Sequence, residues 1–376
     1  MKRAQRATRE GTERFRARFP EAHAAGHFRE ALGLWVSSIG IGTYLGAPDE
    51  ATDRAYGEAI ARALQMGSNV MDTAINYRGQ RSERVIGETL ARLVTAGAIA
   101  RDEVVVATKG GYIPFDGHPP RTRAQWRQYL EETLFRPGIA RPEEIVGGVH
   151  CLAPRYLEHQ LEMSLRNLRL EAVDIYYLHN PEHQLEEVSR DEFRRRLRAA
   201  FAWLEEKVAH GKIGVYGTAT WEGYRVPPDA RLHLSLSELV ALAREVGGED
   251  HHFRVLQLPY NLLMPEASAL RMQPLGERRV SALEAAEHWG IVVMASAPLR
   301  QGQLAARGPV AMGGPLEGLT EAQRALQFVR STPGIAVALV GMSRRAHVEE
   351  NLRLAHIRPL SPAAWRQVFG ALRGIG

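Results

Sequence analysis

From about residue 38 onward, short apolar runs alternate with longer amphipathic stretches, and this alternation narrows the possible folds more than any other feature of the chain. The runs are SSIGIG, NVMD, VVVATK, VDIYYLH, IGVYGTA, RVLQL, IVVMAS and AVALVG, eight in all. Their interiors are almost continuously apolar, as parallel strands covered by helices require. Between them lie helical patterns. RYLEHQLEMSLRNL sets Leu157, Leu161, Leu165 and Leu168 on one stripe. FRRRLRAAFAWLEEKVAHG ends in Gly211, suited to a helix C-terminus, and TEAQRALQFVRSTPG offers Thr320 as an N-cap. Eight strands alternating with helices fit either a closed barrel or a doubly wound sheet. A doubly wound dinucleotide fold opens with G-x-G-x-x-G after its first strand, and SSIGIGTYLG matches that poorly. The expectation is an α/β fold of the (β/α)8 TIM-barrel type, a single domain over residues 28–376 with a basic N-terminal extension over 1–27.

The length, 376 residues, suits one such barrel. One cysteine, Cys151, excludes an internal disulfide framework and a cysteine-rich zinc site. No apolar run approaches membrane-spanning length, and the N-terminus lacks the apolar core of a secretory signal. A cytoplasmic protein without membrane attachment is expected. The 48 basic residues exceed the 43 acidic ones by five, and much of the excess lies in MKRAQRATREGTERFRARFP. A nucleic-acid or membrane arm is one reading of that segment. A solvated, partly helical extension packed on the barrel is favoured, because acidic residues are interspersed and no nucleic-acid motif follows. An oligomer is possible. The spacing of His179, Glu182 and His183, and the pair His251–His252, fit no metal-ligand motif, so no metal is expected.

Three long linkers, about 110–152, 221–236 and 259–276, follow strand C-termini, the face on which barrels carry their sites. Three consecutive apolar runs end in an ionisable residue: SNVMD in Asp72, VVVATK in Lys109 and VDIYYLH in His179. Tyr77 follows Asp72 by five positions. Carbonyl reduction needs a proton delivered to an oxygen that gains charge as hydride arrives at carbon. A free phenol, with a pKa of about 10, gives up its proton reluctantly. An ammonium beside it lowers that value, so Lys109 can assist Tyr77 while Asp72 keeps Lys109 charged. His179 can orient the carbonyl or join the proton relay. Each residue alone has an ordinary structural explanation; three at strand ends of one rim, with Tyr77 on the loop beyond Asp72, fit one task.

These blocks resemble the aldo-keto reductase family. MDTAINYRGQRSERVIGETL resembles its D-T-A-x-x-Y…S-E…I-G signature, and VVVATK, SLRNLRLEAVDIYYLHNPE, GKIGVYGTA, VLQLPYNLL, APLRQGQL and VGMSRRAHVEENL follow in the family's order. The resemblance implies a catalytic tetrad at Asp72, Tyr77, Lys109 and His179, NADP(H) as cofactor, and a small-molecule aldehyde or ketone as substrate. It places the adenosine 2′-phosphate at Ser343 and Arg344 after the turn at Gly341, adenine near Glu350 and Asn351, and His347 where relatives have Arg, Gln or His. Gln257 matches the ligand of the nicotinamide carboxamide, and Pro298, Leu299 and Gly302 match the loop along the pyrophosphate. Two departures from the pattern occur. Ala219 and Thr220 stand where many relatives have Ser-Asn, so the carboxamide loses a polar partner unless Thr220 or Thr218 replaces it, and Ser296 stands where many have a stacking Tyr, so stacking comes from elsewhere or is absent. Tyr112, Phe115, Trp126 and Trp221 either line a carbonyl pocket or anchor loops. Two other classes remain open: an NADP(H)-binding redox-sensing module, and a Schiff-base barrel using Lys109 as an amine nucleophile.

Overall fold

The computed structural model describes residues 6–117, 119–306 and 314–373. Twelve strands occur among them: β1 (Phe28–Ala31), β2 (Leu34–Ser37), β3 (Ile39–Gly42), β4 (Val70–Asp72), β5 (Val105–Gly110), β6 (Val173–His179), β7 (Ile213–Ala219), β8 (Phe253–Pro259), β9 (Gln273–Leu275), β10 (Arg278–Val280), β11 (Val292–Ser296) and β12 (Ile335–Gly341). Eight of them, β3 to β8 with β11 and β12, close a parallel barrel in which β12 pairs back onto β3. These eight are the apolar runs of the sequence. β1–β2 and β9–β10 are small antiparallel hairpins that the sequence pattern does not reveal.

Helices wrap the barrel because each carries one apolar stripe and a defined start. Asp49, Ser189, Ser235, Ser281 and Thr320 each accept a hydrogen bond from the backbone N–H three residues on, capping the helices Glu50–Gln65, Arg190–Ala209, Leu236–Gly247, Ala282–His288 and Glu321–Arg330. Such caps contribute about 1 kcal/mol each. Gly211, with φ of +73°, takes the left-handed conformation just beyond the helix Arg190–Ala209, as its position suggested.

Inside the barrel, alternate residues of successive strands form one cluster: Val70, Val105 with Ala107, Ile175 with Tyr177, Val255, Met294, and Val337 with Leu339. Ala31 and Val36 of the β1–β2 hairpin join it, and Arg29 Nη1 donates to the Ile335 carbonyl at 2.6 Å, so the hairpin plugs the end where the strands begin. The basic N-terminal segment is helical over Arg9–Ala17 and Pro20–Ala24. It is tied to the same end: Ala7 N donates to Asp174 Oδ1 at 2.6 Å and Thr8 N to the Asp102 carbonyl at 3.0 Å. Residues 1–5 lie outside the described residues. No described helix is long and apolar enough to cross a membrane.

Candidate active site

A strand turns successive side chains to opposite faces, so a residue two or four positions beyond an interior one is also interior. Val70 therefore brings in Asp72, Val105 brings in Lys109, Ile175 brings in His179 and Val255 brings in Gln257. All four sit at the strand ends opposite the hairpin plug. There Lys109 Nζ donates to Asp72 Oδ2 and to the Thr73 carbonyl, both at 2.7 Å, and Gln257 Nε2 donates to Asp72 Oδ1 at 2.7 Å. Lys109 is fully buried. The Tyr77 ring centroid lies 5.0 Å from Lys109 Nζ, and the Tyr77 and His179 rings meet edge to face at 5.7 Å.

The backbone after β4 explains how Tyr77 reaches this position. Tyr77 N donates to the Ala74 carbonyl at 3.0 Å, and Arg78, Gly79 and Gln80 all adopt positive φ, reversing the chain within three residues. The buried Arg78 side chain secures the reversal, donating to the Ala47 carbonyl and to Asp53. His179 is fixed from behind. Gln184 Nε2 donates to His150 Nδ1 at 2.8 Å, which leaves His150 Nε2 as the donor to the His179 carbonyl at 2.7 Å.

The electrostatics differ from the sequence expectation in one respect. Burial, with Asp72 adding to it, holds the Tyr77 phenol well above the usual tyrosine value rather than below it. Desolvation outweighs the nearby ammonium, so Tyr77 is a fully protonated donor at neutral pH. Burial pulls Lys109 down from the usual lysine value while Asp72 opposes it. Burial, followed by the charge of Lys109, keeps His179 well below its usual value, so its imidazole is neutral.

Asp72, Tyr77, His179 and Gln257 line one cavity of about 730 Å³, well within the size range of small-molecule sites, whereas Lys109, bonded to Asp72, does not line it. The cavity runs from Asp72, Tyr77, His179 and Gln257 past Thr220, Pro298, Leu299 and Gly302 to Gly341, Ser343, His347, Glu350 and Asn351. Arg344 is exposed beside Ser343 and does not wall the cavity. Thr220 Oγ1, Asn76 Oδ1 and Asn351 Oδ1 are buried on this wall without a hydrogen-bond partner. Thr218 does not line the cavity as Thr220 does, and its hydroxyl is bonded to Tyr224 at 2.8 Å. Unsatisfied buried polar atoms spread along one continuous wall fit an elongated, multiply polar ligand such as a dinucleotide. Gln257 spends one amide hydrogen on Asp72, which leaves its carbonyl oxygen free to accept from such a ligand. Ser296 lines the cavity and gives that wall no aromatic face.

Of the four rim aromatics, Tyr112 and Trp221 line the cavity. Phe115 and Trp126 are loop anchors, packed on each other and on Tyr129 with ring centroids 5.1–5.7 Å apart. The sequence reading passed over Tyr44, Asn76 and Asn180, which also line the cavity; Tyr44 meets Tyr77 edge-on at 5.0 Å. The position of Tyr44, two residues beyond the end of β3, was the available signal. Among the described residues no group of three or more His, Cys, Asp or Glu is placed to hold a metal ion.

The aldo/keto reductase family model matches residues 38–309. The 6-dehydroglucose reductase of Novosphingobium aromaticivorans is 23% identical over 360 residues, covering 91% of this chain and 93% of the relative. Aldo-keto reductase family 1 member C13 of Mus musculus is 28% identical over 149 residues, 40% of this chain, and that match spans only 33% of the relative. Among solved structures, an aldo/keto reductase of Klebsiella pneumoniae, determined in complex with NADP and acetate, superposes with a TM-score of 0.61 at 21% identity, covering 90% of this chain and 93% of the other. The glycerol dehydrogenase of Gluconobacter oxydans gives a TM-score of 0.63 at 19% identity, over 93% of this chain and 96% of the other. These two likenesses bear on the fold.

Proposed function

The chain belongs to the aldo-keto reductase family, and from that premise we propose that it is an NADP(H)-dependent oxidoreductase that reduces an aldehyde or ketone to the alcohol. The observation that carries the proposal is the buried Asp72–Lys109 ion pair lying under the Tyr77 ring, with Asp72 and Tyr77 both lining the long cavity. NADP(H), when bound, supplies or accepts the hydride. Gln257 and Thr220 are the groups available to its carboxamide, Pro298, Leu299 and Gly302 to its pyrophosphate, Ser343 and Arg344 to the 2′-phosphate, and His347, Glu350 and Asn351 to the adenosine.

Tyr77 donates its proton to the carbonyl oxygen. Its raised pKa keeps the proton in place until negative charge develops on that oxygen, and Lys109 then stabilises the phenolate that forms. Asp72 holds Lys109 charged and aimed. His179, neutral, has its Nδ1 buried without a partner and is free to tautomerise toward the substrate oxygen through Nε2. The ion pair also weighs against Lys109 as an amine nucleophile, which needs a free lone pair.

The test is NADPH oxidation across a panel of aldehydes and ketones, with Tyr77→Phe beside the wild type. The expected result is a fall in kcat of about 100-fold or more, with cofactor affinity retained. Normal turnover by Tyr77→Phe overturns the assignment. Oxidation of one equivalent of bound NADPH without further turnover would favour the redox-sensing reading.

A further inference from the structure

Glu182 is a fully buried carboxylate outside the tetrad, three residues after His179 in the turn Pro181–Glu186. Its Oε1 accepts hydrogen bonds from three consecutive backbone amides, Trp221 N at 2.8 Å, Glu222 N at 3.0 Å and Gly223 N at 3.3 Å. Those amides belong to the loop that leaves β7 immediately after Thr220. We propose that Glu182 is a positioning residue for the carbonyl-binding mouth, its carboxylate gathering these amides so that Trp221 walls the cavity. The inference rests on the reading of the cavity as a site of carbonyl reduction.

Three observations support it. First, the loop after β7 is irregular, so its amides, that of Gly223 buried, need an acceptor that neither helix nor sheet provides. Glu182 supplies one for all three. Second, a buried carboxylate is an expensive acceptor. Burial pushes the Glu182 carboxyl up while the amides of Glu222 and Trp221 oppose it, and Oε2 is left buried without a partner. Third, the ring that the clamp controls is at the functional surface. Trp221 lines the cavity yet is 40% exposed. Among the described residues its indole makes no aromatic ring contact, so the place of its backbone bears directly on where the ring lies. The loops of β6 and β7 are further coupled by Asn180 N donating to the Ala219 carbonyl at 2.6 Å. One carboxylate therefore ties the loop that carries His179 to the loop that carries Thr220 and Trp221.

The experiment has two arms. In the cofactor-free protein, amide hydrogen exchange is followed at residues 221–223 in the wild type, Glu182→Gln and Glu182→Ala. A neutral acceptor makes hydrogen bonds roughly half as strong as a charged one, so exchange at these amides should rise about tenfold in Glu182→Gln. Amides of β5 should be unchanged. In the second arm, Glu182→Gln should raise KM for the carbonyl substrate about fivefold and leave kcat within about twofold. In a Trp221→Ala background the same substitution should add nothing to KM. If Glu182→Ala fails to fold, Glu182→Gln, which keeps an oxygen at the same place, carries the test. Unaltered exchange at 221–223 in Glu182→Gln overturns the clamp. A full KM effect that persists without Trp221 overturns its role through that ring. Absence of turnover in the wild type, with exchange behaving as expected, would sink the reaction assignment and leave the clamp standing.

Discussion

Lys109 carries a charge into an otherwise apolar barrel, and its surroundings show what that requires. Two of its three hydrogens are engaged, by Asp72 Oδ2 and by the Thr73 carbonyl. Removing one member of a buried pair strands the other. Lys109→Met should therefore lower stability by about 3–5 kcal/mol, read from denaturant midpoints, and lower kcat by at least about 100-fold. A stable, active variant would show that the pair is dispensable. Thr220 gives a milder case. If its free hydroxyl serves the cofactor carboxamide, Thr220→Val should raise the NADPH Kd roughly five- to tenfold, the worth of one hydrogen bond, with the melting temperature unchanged. Arg344→Ala should raise the NADPH Kd about tenfold, as loss of a charge-assisted bond would, and leave NADH binding alone. An equal effect on both cofactors would remove Arg344 from the 2′-phosphate. The sequence singled out Asp72, Lys109 and His179 because ionisable residues that end apolar strands are conspicuous. It could not rank burial against a neighbouring charge, so the direction of the Tyr77 shift emerged only from the packing. Nor could it separate Thr218 from Thr220, since the partner of Thr218 comes from the following loop.

Among the elements, the N-terminal extension meets the barrel strands at one shared carboxylate. Asp174, at the start of β6, accepts from Ala7 N on the extension, from Val106 N on β5 at 2.7 Å and from Arg101 Nη2 at 2.8 Å. One nearly buried carboxylate thus joins two strands to the segment that leads into the helix Arg9–Ala17. Asp174→Ala should cost about 2–3 kcal/mol, because hydrogen bonds to charged groups are lost and a buried N–H is left unpaired. It should also speed tryptic cleavage at Arg14, Arg16 and Arg18. Unchanged cleavage would mean that the extension is held elsewhere. The eight barrel strands were legible because each is buried on both faces and reads as a continuous apolar run. The hairpin strands FREA and LWVS, and QPL and RRV, are three or four residues long, too short for a periodicity to rise above chance.

The whole molecule should lose stability on mild acidification. His27 and His150 are buried and held neutral; burial, aided by Arg330, takes His27 down to about 3, and burial takes His150 down to about 4. In the unfolded chain both titrate near 6.5. Below that pH the unfolded state takes up protons that the folded state refuses, so stability present above pH 6.5 is lost as the pH falls toward 4 and then 3. The slope is about 1.4 kcal/mol per pH unit for each histidine at its full extent. Denaturant midpoints between pH 7.5 and 4.5 check this, and His150→Gln should flatten the curve. A midpoint independent of pH over that range would contradict the burial of both imidazoles.

The pairing of β12 with β3 has a bearing on biosynthesis. Ile39 to Gly42 find their outer neighbour only in Ala338 to Gly341, so a nascent polypeptide emerging from the ribosome carries an unpaired sheet edge for some three hundred residues. Until that last stave arrives, the ring of staves stands open and water can reach the lysine within. Burial of the Asp72–Lys109 pair therefore waits for the end of synthesis, and chaperones that shield open edges should meet this protein late in its synthesis.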